Sequence, residues 1–174
     1  MTTKEFEPSC VVCALDFEQP VSGLLDTAIS IAQRFDATLH LVHVWMPAVA
    51  LTPEGGMIPG ASELDVVAST LRDQLEMLAR SVRPRHGRVV TKLLPGTPWR
   101  EIVGYAETHA CDLIVAGTHG RTGLSRLVEG SVAERVVRAS NIPVLIVPMH
   151  RDGEAGQLKN IPTEEETEES CATA

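Results

Sequence analysis

Two apolar periods exchange regularly along this chain, and that exchange restricts its fold more than any other feature. Residues 10–15 form an unbroken apolar run, which predicts a buried strand. Val21, Leu24, Leu25, Ala28, Ile31, Ala32 and Phe35 then recur at helical spacing. A β-rich stretch at 38–45 predicts a second strand, and Leu64, Val67, Leu71, Leu75, Leu78 and Val82 mark a second helix. Ser62 is placed to cap that helix, with Asp65 three residues on as the acid of a capping box. A third strand is expected at 88–94, followed by the turn Pro95-Gly96-Thr97-Pro98, from which Pro98 opens a helix reaching about His109. A fourth strand is expected at 112–116, a loop or broken helix at 117–130, a last helix at 131–140 and a fifth strand at 143–147. Such alternation predicts an α/β fold with a five-stranded, mostly parallel sheet and helices on both faces. It does not determine the strand order.

Between the second strand and the second helix lie residues 46–61, broken by Pro47, Pro53, Gly55, Gly56, Pro59 and Gly60. That is long for a connector in a compact domain and suits a lid or binding loop. The 174 residues suffice for one domain, expected over 1–150, with an appendage at 151–174. Of the net charge of -8, a share of -5 falls on the appendage, where seven acids face two bases. This segment is expected to be disordered, and removable from about Gly153 without loss of fold.

Composition also excludes partners. Only 3% of residues are aromatic, too few for the stacking platforms of single-stranded nucleic acid. No broad basic face is available for duplex DNA or an anionic membrane. No apolar run is long enough to span a bilayer, and the N-terminus has no secretory pattern, so a cytoplasmic protein is expected. Cys10 and Cys13 form a C-x-x-C, but residues three apart on a strand point to opposite faces. Both are therefore expected to pack in the core, and no second cysteine pair is present to complete a zinc site.

The chemically informative stretch is Gly117-Thr118-His119-Gly120-Arg121-Thr122-Gly123, continued after six residues by Gly130-Ser131-Val132-Ala133. Gly117 and Gly120 allow a ligand close to the backbone as the chain leaves the fourth strand. Gly130 and Ser131 open a helix, whose unpaired N–H groups and partial positive charge suit a phosphate. Arg121 and Arg126 add cations between the two turns. A plain turn followed by the capping box Ser131/Glu134 explains the same residues, and spacing alone does not choose between these readings. Glu134 itself opposes an anion unless a divalent cation offsets it.

This stretch resembles the nucleotide-binding signature of the ATP-binding universal stress proteins: Gly, two residues, Gly, nine residues, Gly, then Ser or Thr. Gly117, Gly120, Gly130 and Ser131 stand in that register, and the resemblance extends over about residues 8–148. It implies an adenine nucleotide α-hydrolase-like sheet of order 3-2-1-4-5, with the crevice at the C-terminal ends of strands one and four. It also implies a set of ligand contacts. Asp16, in Ala14-Leu15-Asp16-Phe17, would stand beside the nucleotide, with backbone contacts at Ala14 and Leu15. Val44 would offer backbone to adenine, and the turn Gly96-Thr97-Pro98 matches the family's turn after strand three. Ala14 stands where nucleotide-binding members often carry Pro. Asp16 can also be read as a cap on the first helix, and His40, His43 and Cys111 as packing beside strands.

The function so implied is that of a stress-response sensor or regulator that binds ATP, with Mg or Mn accompanying the nucleotide. Hydrolysis is expected to be slow or absent, because His119 is the lone group of the stretch that titrates near neutrality. A homodimer through the apolar fifth strand (Val144, Leu145, Ile146, Val147) and a downstream protein partner complete the expectation. The choice among ATP, ADP and AMP stays open. Enzymes of related architecture are disfavoured. Phe17-Glu18-Gln19-Pro20 stands where an α-hydrolase needs its Ser-Gly-Gly loop, and Thr118-His119-Gly120-Arg121 is not the His-x-Gly-His of nucleotidyltransferases. No Walker-type Gly-Lys-Ser/Thr occurs either. A dimer with an idle pocket is the other alternative, but such subfamilies lack the glycine signature.

Overall fold

Val11, Val12 and Cys13 are wholly buried because β1 (Cys10–Leu15) is the middle strand of the sheet, covered on both faces. The computed structural model describes residues 6–19, 21–47, 61–119 and 132–149, with backbone alone at 61, 62 and 119. After β1 come α1 (Ser22–Phe35), β2 (Thr38–Trp45), α2 (Ala61–Val82), β3 (Val89–Pro95), α3 (Pro98–Thr108), β4 (Leu113–His119), α4 (Val132–Ala139) and β5 (Val144–Met149). The sheet runs β3-β2-β1-β4-β5, every pairing parallel. This is the expected order and class. No described helix is long and apolar enough to cross a membrane.

Alternation along the strands divides the core in two. Val11, Cys13, Leu15, Leu39, Leu41, Leu113 and Val115 meet Leu24, Ala28 and Ile29 of α1 and Leu75, Ala79 and Val82 of α2. On the other face Cys10, Val12, Val42 and Ile114 meet Ile102, Val103 and Ala106 of α3 and Val136 of α4. The helices contribute their apolar stripes, and each face of the sheet receives two of them.

Several boundaries differ from the sequence expectation. β4 does not end at Ala116 but continues through Gly117, Thr118 and His119, which pair with Val147, Pro148 and Met149. These residues carry no apolar periodicity, so the strand signal fades before the ladder does. Residues 117–119 are therefore strand and not loop. α2 starts at Ala61, so Ser62 lies inside the helix and is not its cap. α1 begins after Val21 without a side-chain cap, so Asp16 is not the cap of that helix. The turn into α3 is as expected. Gly96 has φ 135°, and a Cβ there would lie 2.7 Å from Glu101 Oε1, so only glycine fits. Thr97 is the N-cap and Pro98 follows in the first turn.

The cysteines need a correction. Cys13 is free and buried, and burial pushes its thiol up to about 12. Cys10 does point to the opposite face, but it does not merely pack: it forms a disulfide with Cys111, their Cα atoms 4.5 Å apart. Cys111 lies two residues before β4, the neighbour of β1, and the parallel register brings the two together. Asp112 fastens the same edge. One of its carboxylate oxygens accepts from Ser9 N (2.7 Å), Ser9 Oγ (2.8 Å) and Cys10 N (3.1 Å).

Candidate functional site

The C-terminal ends of β1, β2 and β4 form one edge. Leu15 pairs with His43, and Ala14 pairs with Ala116. One residue beyond Leu15 and His43, Asp16 stands level with Val44 and, across β4, with Thr118, while Gly117 stands level with Leu15, one residue below. α1, which follows β1, packs on one face, whereas α4, which follows β4, packs on the other. The chain thus leaves these adjacent strands in opposite directions, and the resulting crevice is where open α/β sheets take ligands. Val44 belongs to the α3/α4 face, and alternation from Ile114 and Ala116 puts Thr118 there too.

Asp16 is half-buried at this edge. Its Oδ1 accepts the Glu18 N–H at 3.0 Å and its carbonyl the Gln19 N–H at 3.2 Å, which bends the chain away from the sheet. His43 braces the bend. Its Nδ1 donates to the Leu15 carbonyl at 2.9 Å, and its ring meets that of Phe17 at 4.6 Å between centroids. His43 thus does more than pack beside a strand. The register of β1 against β2 is the signal that would have found it.

Gly117 makes room in a different sense from the one expected. A Cβ there would lie 2.6 Å from Met149 Sδ, so its missing side chain accommodates the neighbouring strand. Val132 and Ala133 begin α4, the first exposed and the second buried. Glu134 pairs with Arg138 at 2.8 Å, so a cation one turn on partly offsets the acid at the helix start. Ala14, Leu15, Asp16, Val44, Gly117 and Thr118 are therefore gathered at one edge, along with the backbone of His119. Gly120, Arg121, Thr122, Gly123, Arg126, Gly130 and Ser131 lie outside the described residues, as do residues 48–60 of the lid expected at 46–61.

A sequence profile of the universal stress protein family matches residues 10–148. The chain belongs to that family. Among universal stress proteins, MJ0531 of Methanocaldococcus jannaschii is 36% identical over 124 residues, covering 69% of this chain and 70% of that protein. UspA of Lactobacillus plantarum superposes with a TM-score of 0.65 at 27% identity, covering 80% of this chain and 97% of that one. A universal stress protein from Archaeoglobus fulgidus, solved in complex with dAMP, shares the fold with a TM-score of 0.53 at 22% identity, over 79% of this chain and 95% of that one.

Proposed function

We propose that this universal stress protein binds an adenine nucleotide, with ATP as its working ligand, at the C-terminal edge of β1, β2 and β4. The observation that carries the reading is the convergence of Asp16, Val44 and Thr118 at one height, with Gly117 one residue below them. The glycine signature leads from that edge to the start of α4 on the same face as Val44. In this reading Asp16 takes the ribose hydroxyls and the Val44 backbone takes adenine. Gly117, Thr118, His119, Gly120, Arg121, Thr122 and Gly123, with Gly130, Ser131, Val132 and Ala133, cradle the phosphates. Mg or Mn accompanies the nucleotide and further offsets Glu134. The dAMP complex of the Archaeoglobus fulgidus protein shows a molecule of this fold holding a ligand of this class. Calorimetric titration of the full chain with ATP tests the proposal. One site per chain is expected, and the absence of binding by ATP, ADP and AMP would end it.

The protein acts as a cytoplasmic sensor that passes nucleotide occupancy to a protein partner and consumes little of the nucleotide. Fast phosphoryl transfer needs a positioned nucleophile as well as neutralised charge, and a histidine needs a partner that orients it to serve as an effective base. Steady-state phosphate release with Mg or Mn should stay below about 1 per second. Faster turnover that disappears in His119→Ala would make the protein an ATPase.

β5 supports a homodimer. Among the described residues it is a sheet edge, and Leu145 on it is 37% exposed. Unpaired apolar edges invite association, and antiparallel pairing of two β5 strands would close this one. Light scattering at micromolar concentration should give twice the chain mass, and Leu145→Lys should reduce it to one. A wild-type monomer would refute the pairing.

A further inference from the structure

The opposite edge of the sheet holds a group of side chains that nucleotide binding does not use. Cys10 opens β1, Cys111 leads into β4, and His40 lies in β2 beside Val12. Three separate segments are thus brought together by one parallel ladder, and their sulfur and ring-nitrogen atoms all lie within 4.8 Å of one another. We propose that Cys10, Cys111 and His40 form a zinc site that loads when the Cys10–Cys111 disulfide is reduced.

The donor set suits the metal. Donors around a tetrahedral zinc, with Zn–S near 2.3 Å and Zn–N near 2.0–2.1 Å, stand roughly 3.5–3.8 Å apart. Side-chain rotation about the spacing seen here reaches that range. Tyr105 OH lies 2.9 Å from His40 Nδ1 and fixes the ring by one nitrogen, which leaves Nε2 to the metal. An outer partner of this kind is the usual companion of a metal-binding histidine.

Charge selects the cation. Cys10 and Cys111 belong to the same buried apolar cluster as Val12, Val42, Ile114 and Val136. Two thiolates and Zn(II) sum to zero, whereas the same thiolates with Cu(I) would bury a net negative charge. Water takes the fourth position, as it does at zinc sites with three protein ligands.

The step balances. A dithiol reductant gives two electrons and two protons to the Cys10–Cys111 disulfide and becomes a disulfide itself. Zinc then displaces the two thiol protons. A disulfide oxidant re-forms the Cys10–Cys111 bond: it takes two electrons from the paired thiolates and two protons from water, becomes two thiols itself, and the metal leaves. The site lies at the edge away from Asp16, so it operates whether or not a nucleotide binds.

Cobalt and zinc titrations of the full chain test this, after reduction with dithiothreitol and anaerobic desalting. The reduced chain should take up one Co(II) with a sulfur-to-cobalt charge-transfer band, which zinc bleaches. The oxidised chain should show none. Affinity, measured by chelator competition, should fall at least about a hundredfold in Cys111→Ser and about tenfold in His40→Ala. Cys171→Ser should leave it unchanged. Failure of the reduced chain to bind either metal, unchanged affinity in His40→Ala, or loss in Cys171→Ser would overturn the site. Uptake of Cu(I) in place of zinc would overturn the choice of metal. Circular dichroism on each variant separates lost ligation from lost fold.

Discussion

Replacing Ile114 by alanine is expected to remove about 2–5 kcal/mol of stability. Ile114 is fully buried in β4, paired with Val12 on one side and Val144 on the other. It packs in the cluster formed with Ile102 and Val103 of α3 and Val136 of α4. The substitution deletes three carbons, worth about 0.8 kcal/mol each in transfer free energy. It also leaves a cavity that two helices and two strands cannot easily collapse into. Domains of this size hold only about 5–15 kcal/mol in all, so the urea midpoint should drop sharply. Val66→Ala on α2, at a position 64% exposed, should change stability by no more than about 0.5 kcal/mol. A loss below about 1 kcal/mol for Ile114→Ala would contradict the packing of this face.

Replacing Gly130 by valine is expected to weaken ATP binding at least about tenfold, or about 1.4 kcal/mol. Gly130 stands two residues before α4, at the last glycine of the signature. If phosphates meet backbone N–H groups there, a branched side chain would occupy the space that they need. The melting temperature of the variant, compared with the wild type, separates a lost contact from a lost fold. Calorimetry on the folded variant is the measurement. Unchanged affinity would move the phosphates elsewhere while leaving Asp16 and Val44 as candidates.

Most of the architecture was legible because buried parallel strands and amphipathic helices differ so plainly in period. The run at 10–15 became β1 with the same limits, and the helical spacing from Val21 to Phe35 became α1. Strand order was legible only through resemblance, since alternation is the same for many orders. The end of β4 was missed because Gly117, Thr118 and His119 extend a ladder through backbone bonds, to which hydropathy is blind. The disulfide was missed for a related reason. Local spacing drew attention to Cys13, three residues from Cys10, whereas the partner lies 101 residues away. Only the adjacency of β1 and β4 makes that pairing visible. At the candidate site the strand-end residues were readable as types, but their relative heights needed the register.

The grip of Asp112 on Ser9, 103 residues upstream, bears on how the chain is made. During synthesis, β1 can pair with β2 as soon as both have left the ribosome. Its other side must wait for β4. At roughly 5–20 residues per second, that wait lasts about 5–20 seconds. Throughout it, Val11, Val12 and Cys13 present an open backbone edge of the kind that nascent chains bind to one another. The half-made protein is therefore the form most in need of a chaperone, and the arrival of Asp112 marks the end of that need.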